Sequence, residues 1–445
     1  MKRPLALSAF LGAFACTLHA SANPLDPFGF GSRSTAMGSA VAADTSGFDA
    51  SYYNPAGLAR AKGLELSVGY FRASHYLKTN GHDNEVDPVK GLVGGLVAPG
   101  KVLGIPFAFG VAIHLPDDRI SRVRALRQEV PRWEMYDNRN QRLYLAANLA
   151  VSPFPWLQIG GGFSFMSSTQ GNLDIGGELN IFRSEDSALR HQVDADLTAV
   201  RYAQAGMRIE LSDDVALALV YRGQFQLKLD LSAYLHGDIS QLTTAVYALQ
   251  THSVNNFLPQ QLVVGGSWRL TKNLRANMDV TWVNWSAYVP PVASLGVTLD
   301  IPPPAGGWPN GIVPPTAPAP TKIEPLKMSD RAVPHLGVEW RALARPKWEG
   351  FVRAGYEYAK SPIGAQTGIT NYIDRDRHSV SFGLGARAIA PVDILPGDVR
   401  LDLHTQLSEL VEATTYKRDP ADLIGDYTAG GHIWNVGATL TVGFP

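Results

Sequence analysis

Between residues 274 and 282 the chain sets Leu274, Ala276, Met278, Val280 and Trp282 at every second position, with Arg275, Asn277, Asp279 and Thr281 between them. A period of two belongs to a β-strand, so this stretch shows an apolar face to one medium and a polar face to another. The pattern returns where Val352, Ala354, Tyr356 and Tyr358 alternate with Arg353, Gly355 and Glu357. It returns again where Val399, Leu401, Leu403 and Leu407 oppose Arg400, Asp402, His404 and Gln406, and from Trp434 to Val442. Further strands are expected near 64–74, 91–98, 105–115, 141–151, 157–166, 196–210, 215–229, 261–270, 326–341 and 378–390, about fourteen in all.

The spacing of the connections says more than the count. Short turns near 99–104, 152–156, 211–214, 271–273, 342–346 and 391–396 alternate with long connections near 76–88, 116–139, 167–191, 231–257, 290–325, 361–376 and 412–430. Short turns at one end and long loops at the other are the rhythm of an outer-membrane barrel. No stretch beyond residue 22 approaches the ~18 continuous apolar residues of a membrane helix. The reading is an all-β transmembrane barrel of about 14 antiparallel strands with an N-terminal, partly helical luminal hatch. A large secreted β-sandwich would produce similar alternation and stays open as the soluble alternative.

Export is written at the start. Lys2 and Arg3 precede an apolar run over 5–14 and the small-residue site Ala20-Ser21-Ala22, the marks of a signal peptide over 1–22. Cleavage would leave Asn23 first. The single cysteine, Cys16, lies in that segment and admits lipidation as a rival reading, although Phe14 is bulky for such a site. Nothing beyond it can form a disulfide or a thiolate metal site. A formal net charge of -1 gives no footprint for nucleic acid.

The expected division is 1–22 signal peptide, 23–62 hatch and 63–445 barrel. Within the second part, residues 34–43 are expected as a short helix, marginal alone because of Gly38. Residues 49–54 form a second turn or helix, and Asn54-Pro55-Ala56-Gly57 form a tight reversal. Pro302-Pro303-Pro304 and Pro314-Pro315 exclude a continuous strand across 290–325, leaving an external loop or an interdomain linker. Arg119, Arg122, Arg124, Arg127 and Arg132 form either a solvated loop face or an attractor for carboxylate or lipopolysaccharide phosphate. No Gly-x-Ser-x-Gly elbow or His-Glu-x-x-His motif occurs, so no catalytic, metal or cofactor residue is assigned. A general porin and, behind it, a lipid-modifying enzyme remain the competing classes.

The Asn54-Pro55-Ala56 motif after the glycine-rich run 28–38 resembles the FadL/TodX family of outer-membrane transporters for long-chain fatty acids and other hydrophobic compounds. Further likeness lies in Leu258-Pro259-Gln260 leading into 264–268, in 279–286, in 353–362 and in 376–385. The resemblance implies a fourteen-stranded monomer, inserted among outer-membrane lipid and lipopolysaccharide by barrel-assembly machinery, with no cofactor. The hatch and gate would be Asn54, Pro55, Ala56 and Gly57. A kinked third strand would supply a lateral opening, mapping to Pro106 and Gly110, with Pro106 as a strand start and Gly110 as a packing site the alternative. By chemistry alone, Phe28, Phe30, Met37 and Phe48 are candidate ligand-wall residues or ordinary packing. Arg353, Glu357, Arg400, Asp402 and His404 are a candidate luminal polar network that Asn54 could latch onto. The family's usual C-terminal aromatic residue is one place early here, at Phe444 before Pro445.

Overall fold

In the computed structural model, the described residues are 25–444 except 120–128, 138–141, 180–184, 186, 240–242, 290–293, 309–312, 314–315, 318, 320–323, 325, 367, 392–396, 419 and 421. The expected signal peptide, Arg122, Arg124, Arg127 and Pro445 lie outside them.

The wall is built from Glu65–Thr79 (β1), Val89–Val102 (β2), Ile105–Pro116 (β3), Tyr144–Phe154 (β4), Leu157–Leu179 (β5), Ala188–Ser212 (β6) and Val215–Arg222 (β7). It continues through Gln261–Arg269 (β8), Leu274–Val283 (β9), Arg331–Ala344 (β10), Trp348–Ala359 (β11), Arg377–Ile389 (β12), Asp398–Thr415 (β13) and Tyr427–Gly443 (β14). Each pairs antiparallel with the next, and β14 returns to β1 with Glu65 opposite Gly443. The fourteen strands therefore form a closed ring. Closure leaves no edge and pairs the strand backbone internally, the condition for a sheet in hydrocarbon.

The two faces follow the sequence alternation. Leu66 and Val68 are 47% and 55% exposed on the outside of β1, whereas Asn277 and Asp279 of β9 are 3% and 2% exposed on the inside. The apolar faces point out and the polar faces point into the lumen, which a water-soluble sandwich would reverse.

Several connections differ from expectation. The 167–191 connection is mostly sheet, because β5 runs on to Leu179 and β6 begins at Ala188. The 231–257 connection is a hairpin of Phe225–Ile239 and Thr243–Leu258, and the 290–325 loop contains Ser294–Asp300, which pairs with that hairpin. These outer strands carry enough alternating β-formers to extend the sheet beyond the membrane wall, and the polar residues among them masked the continuation.

Residues 25–61 lie inside the ring, since their backbone is bonded by inward side chains from all around it: Asn435 to Phe28 O (2.6 Å), Asn277 to Ala40 O (2.8 Å) and Gln204 to Ser51 O (2.6 Å). The expected 34–43 helix is only Ser32–Ala36 (α1), because Gly38 and Ser39 take φ of 62° and 63° and turn the chain out of the helix. Ala50–Tyr53 (α2) and a 3-10 helix over Pro55–Arg60 follow. Phe30 stacks on Tyr52 at 4.7 Å and meets Phe48 at 5.5 Å, each such pair adding about 0.5–1.5 kcal/mol beyond its buried area. These elements are too short to persist alone, and the lumen supplies their packing.

Candidate functional site

Asn54 caps the 3-10 helix: its Oδ1 accepts from Ala56 N (3.0 Å) while its Nδ2 donates to Ala42 O (2.7 Å) and, at longer range, to Met207 O of β6 (3.4 Å). Pro55 stands at the first helical position, where its missing N–H costs nothing. Beneath the motif the wall offers a glycine pair, Gly160 opposite Gly206. A Cβ on Gly160 would stand 2.6 Å from Pro55 O, and one on Gly206 would overlap Asn54 Oδ1. Gly57 is equally constrained, lying against the Thr45 backbone. Around this landing, Gln204 and Asn148 donate to Ser51 O, Arg208 to Ala43 O and Arg222 to Tyr53 O, at 2.6 to 3.2 Å.

A second glycine pair, Gly337 opposite Gly355 on β10 and β11, receives the turn at Met37 and Gly38. A Cβ on Gly355 would lie 2.6 Å from Gly38 Cα. Only backbone fits there.

Of the five residues expected in a luminal polar network, Arg353, Arg400 and Asp402 lie together, and they are joined by residues the sequence did not single out. Arg353 donates to Glu339 (2.6 Å) and Asp402 (2.8 Å), and Arg400 lies 3.0 Å from Asp402. Glu339 also holds Arg33 of the N-terminal segment (3.0 Å), which in turn meets Asp44 (2.5 Å). Asp44 is shared further with Arg275 and Arg60. An alternating chain of charge thus runs Arg60, Asp44, Arg33, Glu339, Arg353, Asp402, Arg400. Burial alone would push the Asp44 carboxyl up, but Arg33, Arg275 and Arg60 hold it well below the usual carboxylate range. Glu357 belongs to a different group, pairing with Arg377 and lying 3.7 Å from His335. His404 is buried on the luminal face of β13, with Gly437 beside its ring.

Two cavities lie on opposite sides of the N-terminal segment. The one toward the long loops is about 90 Å³. Apolar Met135, Trp285 and Val333 share its lining with Arg222, Arg377 and Glu357, and Ser39, Ala42 and Tyr53 form its floor. The one toward the short turns is about 180 Å³ and is charged, with Asp44, Arg60 and Glu339 in its lining.

Asn54 therefore does not latch onto Arg353, Glu357, Arg400 or Asp402. Its wall contacts are on β6, with Pro55 and Ala56 against Gly160 of β5, and the segment reaches Arg353 through Arg33 and Glu339 instead. Phe28, Phe30, Met37 and Phe48 are all buried and line neither cavity; Phe28 meets His75 at 5.7 Å, and Met37 lies on Gly337. Pro106 pairs with Lys101, and Gly110 with Val97 and Asn148, with no register shift on either side of β3. In this conformation β3 is unbroken, and Gly110 is the surface on which Leu58 and Ser51 rest. In the external basic run, Arg119 pairs with Asp87 and Arg132 with Glu134. Sequence reasoning missed Asp44, Arg208, Arg222, Glu339 and the glycine pairs; Arg208, Arg222 and Glu339 sit at inward positions of alternating strands, which was the available signal.

Residues 140–394 match the family model described as outer membrane protein transport protein (OMPP1/FadL/TodX). The chain belongs to the FadL/TodX family. No curated protein matches the sequence. Among solved structures, this FadL/TodX chain is similar to a Pseudomonas aeruginosa FadL homologue, with TM-score 0.57 and 13% identity over 95% of this chain and 99% of that one. The CymD monoaromatic hydrocarbon channel gives TM-score 0.57 and 16% identity over 95% and 99%. The Ralstonia pickettii toluene transporter TbuX gives 0.53 and 17% over 94% and 99%. These likenesses establish the fold, and with the family they make the chain an outer-membrane transport channel.

Proposed function

We propose that this channel takes up small hydrophobic molecules from outside the cell, with residues 25–61 as the hatch between an outer receiving cavity and an inner, charged one. The observation that carries the reading is the pair of cavities with residues 25–61 between them, one lined by Ser39, Ala42 and Tyr53 and the other by Arg33, Asp44 and Arg60. A general porin needs an open lumen, and here the lumen is filled by hatch residues such as Phe30, Met37 and Tyr52, all fully buried.

The outer cavity, about 90 Å³, is below the roughly 150 Å³ that holds benzene in an engineered protein core. Ring-sized cargo thus demands less movement of the roof than a long-chain fatty acid. The charged inner cavity offers such cargo little affinity, which favours release once the hatch moves. Export by a signal peptide over 1–22, insertion by the assembly machinery and a monomeric state complete the reading; a ring closed by one chain needs no second subunit.

Uptake into vesicles of outer-membrane lipid carrying the purified protein tests it, with radiolabelled toluene and oleate as probes and a small sugar as control. Saturable toluene uptake exceeding that of oleate, with negligible sugar flux, is expected. Rapid unsaturable sugar flux would establish the porin instead.

A further inference from the structure

The inward column shared by β10 and β11 passes the hatch in three steps. His335 opposite Glu357 lines the outer cavity, Gly337 opposite Gly355 meets the hatch, and Glu339 opposite Arg353 lines the inner cavity. Inward positions on paired strands are two residues apart, so each cavity is one residue pair from the turn at Met37 and Gly38. Nowhere on this column does a wall side chain stand between them at the level of the hatch. What fills the gap is hatch backbone: Gly38, at φ 62°, lies against Tyr356 N and Leu336 O at the distance of direct packing. The wall side chain that bonds it is His335, whose Nδ1 is 3.0 Å from Gly38 O.

The Asn54 side of the hatch is held otherwise. Four wall side chains, Asn148, Gln204, Arg208 and Arg222, bond the backbone of Ala43, Ser51 and Tyr53. Moving that side would leave several buried groups unpaired, each costly. Lifting Met37 and Gly38 alone frees one wall bond, at Gly38 O, while Asn277 keeps Ala40 O, Asp279 keeps Ala42 N and Glu339 keeps Arg33, and it opens a slot whose wall carries no side chains.

We propose that the passage between the cavities opens at Met37 and Gly38, along the β10–β11 seam, while the Asn54-Pro55-Ala56 motif stays docked as the fixed end of the hatch. The inference rests on the uptake reading and names the place where the hatch yields. Cargo entering beside His335 and Glu357 passes the bare glycine pair and emerges beside Glu339 and Arg353.

Residues 17–445 contain no cysteine, so engineered pairs report cleanly. A Cβ on Gly337 lies 3.1 Å from Met37 Cβ, and one on Gly110 lies 2.8 Å from Ser51 Oγ, both near disulfide range. Oxidising Met37→Cys/Gly337→Cys is expected to cut toluene uptake at least tenfold, reversibly with dithiothreitol, while oxidising Ser51→Cys/Gly110→Cys changes it less than twofold. Equal uptake by the oxidised turn pair, or a block by the Ser51 pair, would overturn the proposal. Because Gly337→Cys crowds the turn, single variants give a second reading that needs no uptake. Ser39→Cys, on the outer-cavity floor, is expected to react faster with an impermeant maleimide applied from the short-turn side when toluene is present, with Ser51→Cys unchanged. The reverse order would contradict it. If the unmodified chain takes up no toluene or oleate, the uptake reading fails, whereas the maleimide rates still report on the turn.

Discussion

Gly206 of the wall and Asn54 of the hatch are fitted so closely that a methyl group on Gly206 would overlap Asn54 Oδ1 and stand 3.0 Å from its Cγ. The fit places the Asn-Pro-Ala motif on bare strand backbone. Gly206→Ala should therefore displace the motif while leaving the strand ladder intact, at about 1–3 kcal/mol for overpacking. The expected result is a barrel that still resists unfolding in cold detergent but shows raised ion conductance. An unaltered conductance together with an unaltered melting temperature would show that the contact does not position the hatch.

Asn54→Ala removes the cap on Ala56 N and leaves Ala42 O without its donor. Loss of a cap alone costs about 1 kcal/mol, and the stranded buried carbonyl adds to it. Hydrogen exchange should rise over residues 42–60 and not in β1–β14.

Among the described residues, Asp44 is the carboxylate most heavily shared with arginine, meeting Arg33, Arg60 and Arg275. Its pKa in the folded chain is depressed, so its contribution is fully present above the unfolded value of about 4 and is lost as pH falls below it. The hatch should stay closed from pH 7 to 5 and loosen below about pH 4, read as conductance across a pH series. Asp44→Asn should loosen it already at pH 7, since removing one member of a buried ion pair costs about 3–5 kcal/mol.

The barrel was legible because its two faces meet two media: Met278 and Asp279 are adjacent in sequence and lie on opposite sides of the wall. Connections were legible where turns were short, and misread at 167–191, where strands leave the lipid and their alternation no longer tracks polarity. The hatch was legible as a segment but not in its contacts. Asn54 could have been paired with any luminal polar group, and period two gives a residue's face without its partner across the lumen. The glycine landings carried no signal of their own, since Gly206 and Gly355 read as ordinary strand glycines until the hatch backbone is placed against them.

Met278→Arg puts a charge on the lipid side of β9, where the residue is 45% exposed. A cost of about 2–4 kcal/mol near mid-membrane is expected, seen as a lower denaturant midpoint for the lipid-embedded protein.

The central claim is that residues 25–61 close a pore that the fourteen strands would otherwise leave open. Single-channel conductance in planar bilayers, comparing the intact chain with one lacking residues 25–61, tests it most directly. The account predicts an intact channel that is closed to small ions most of the time and a deletion variant with large, steady conductance. An intact chain that conducts as freely as the deletion variant would contradict it.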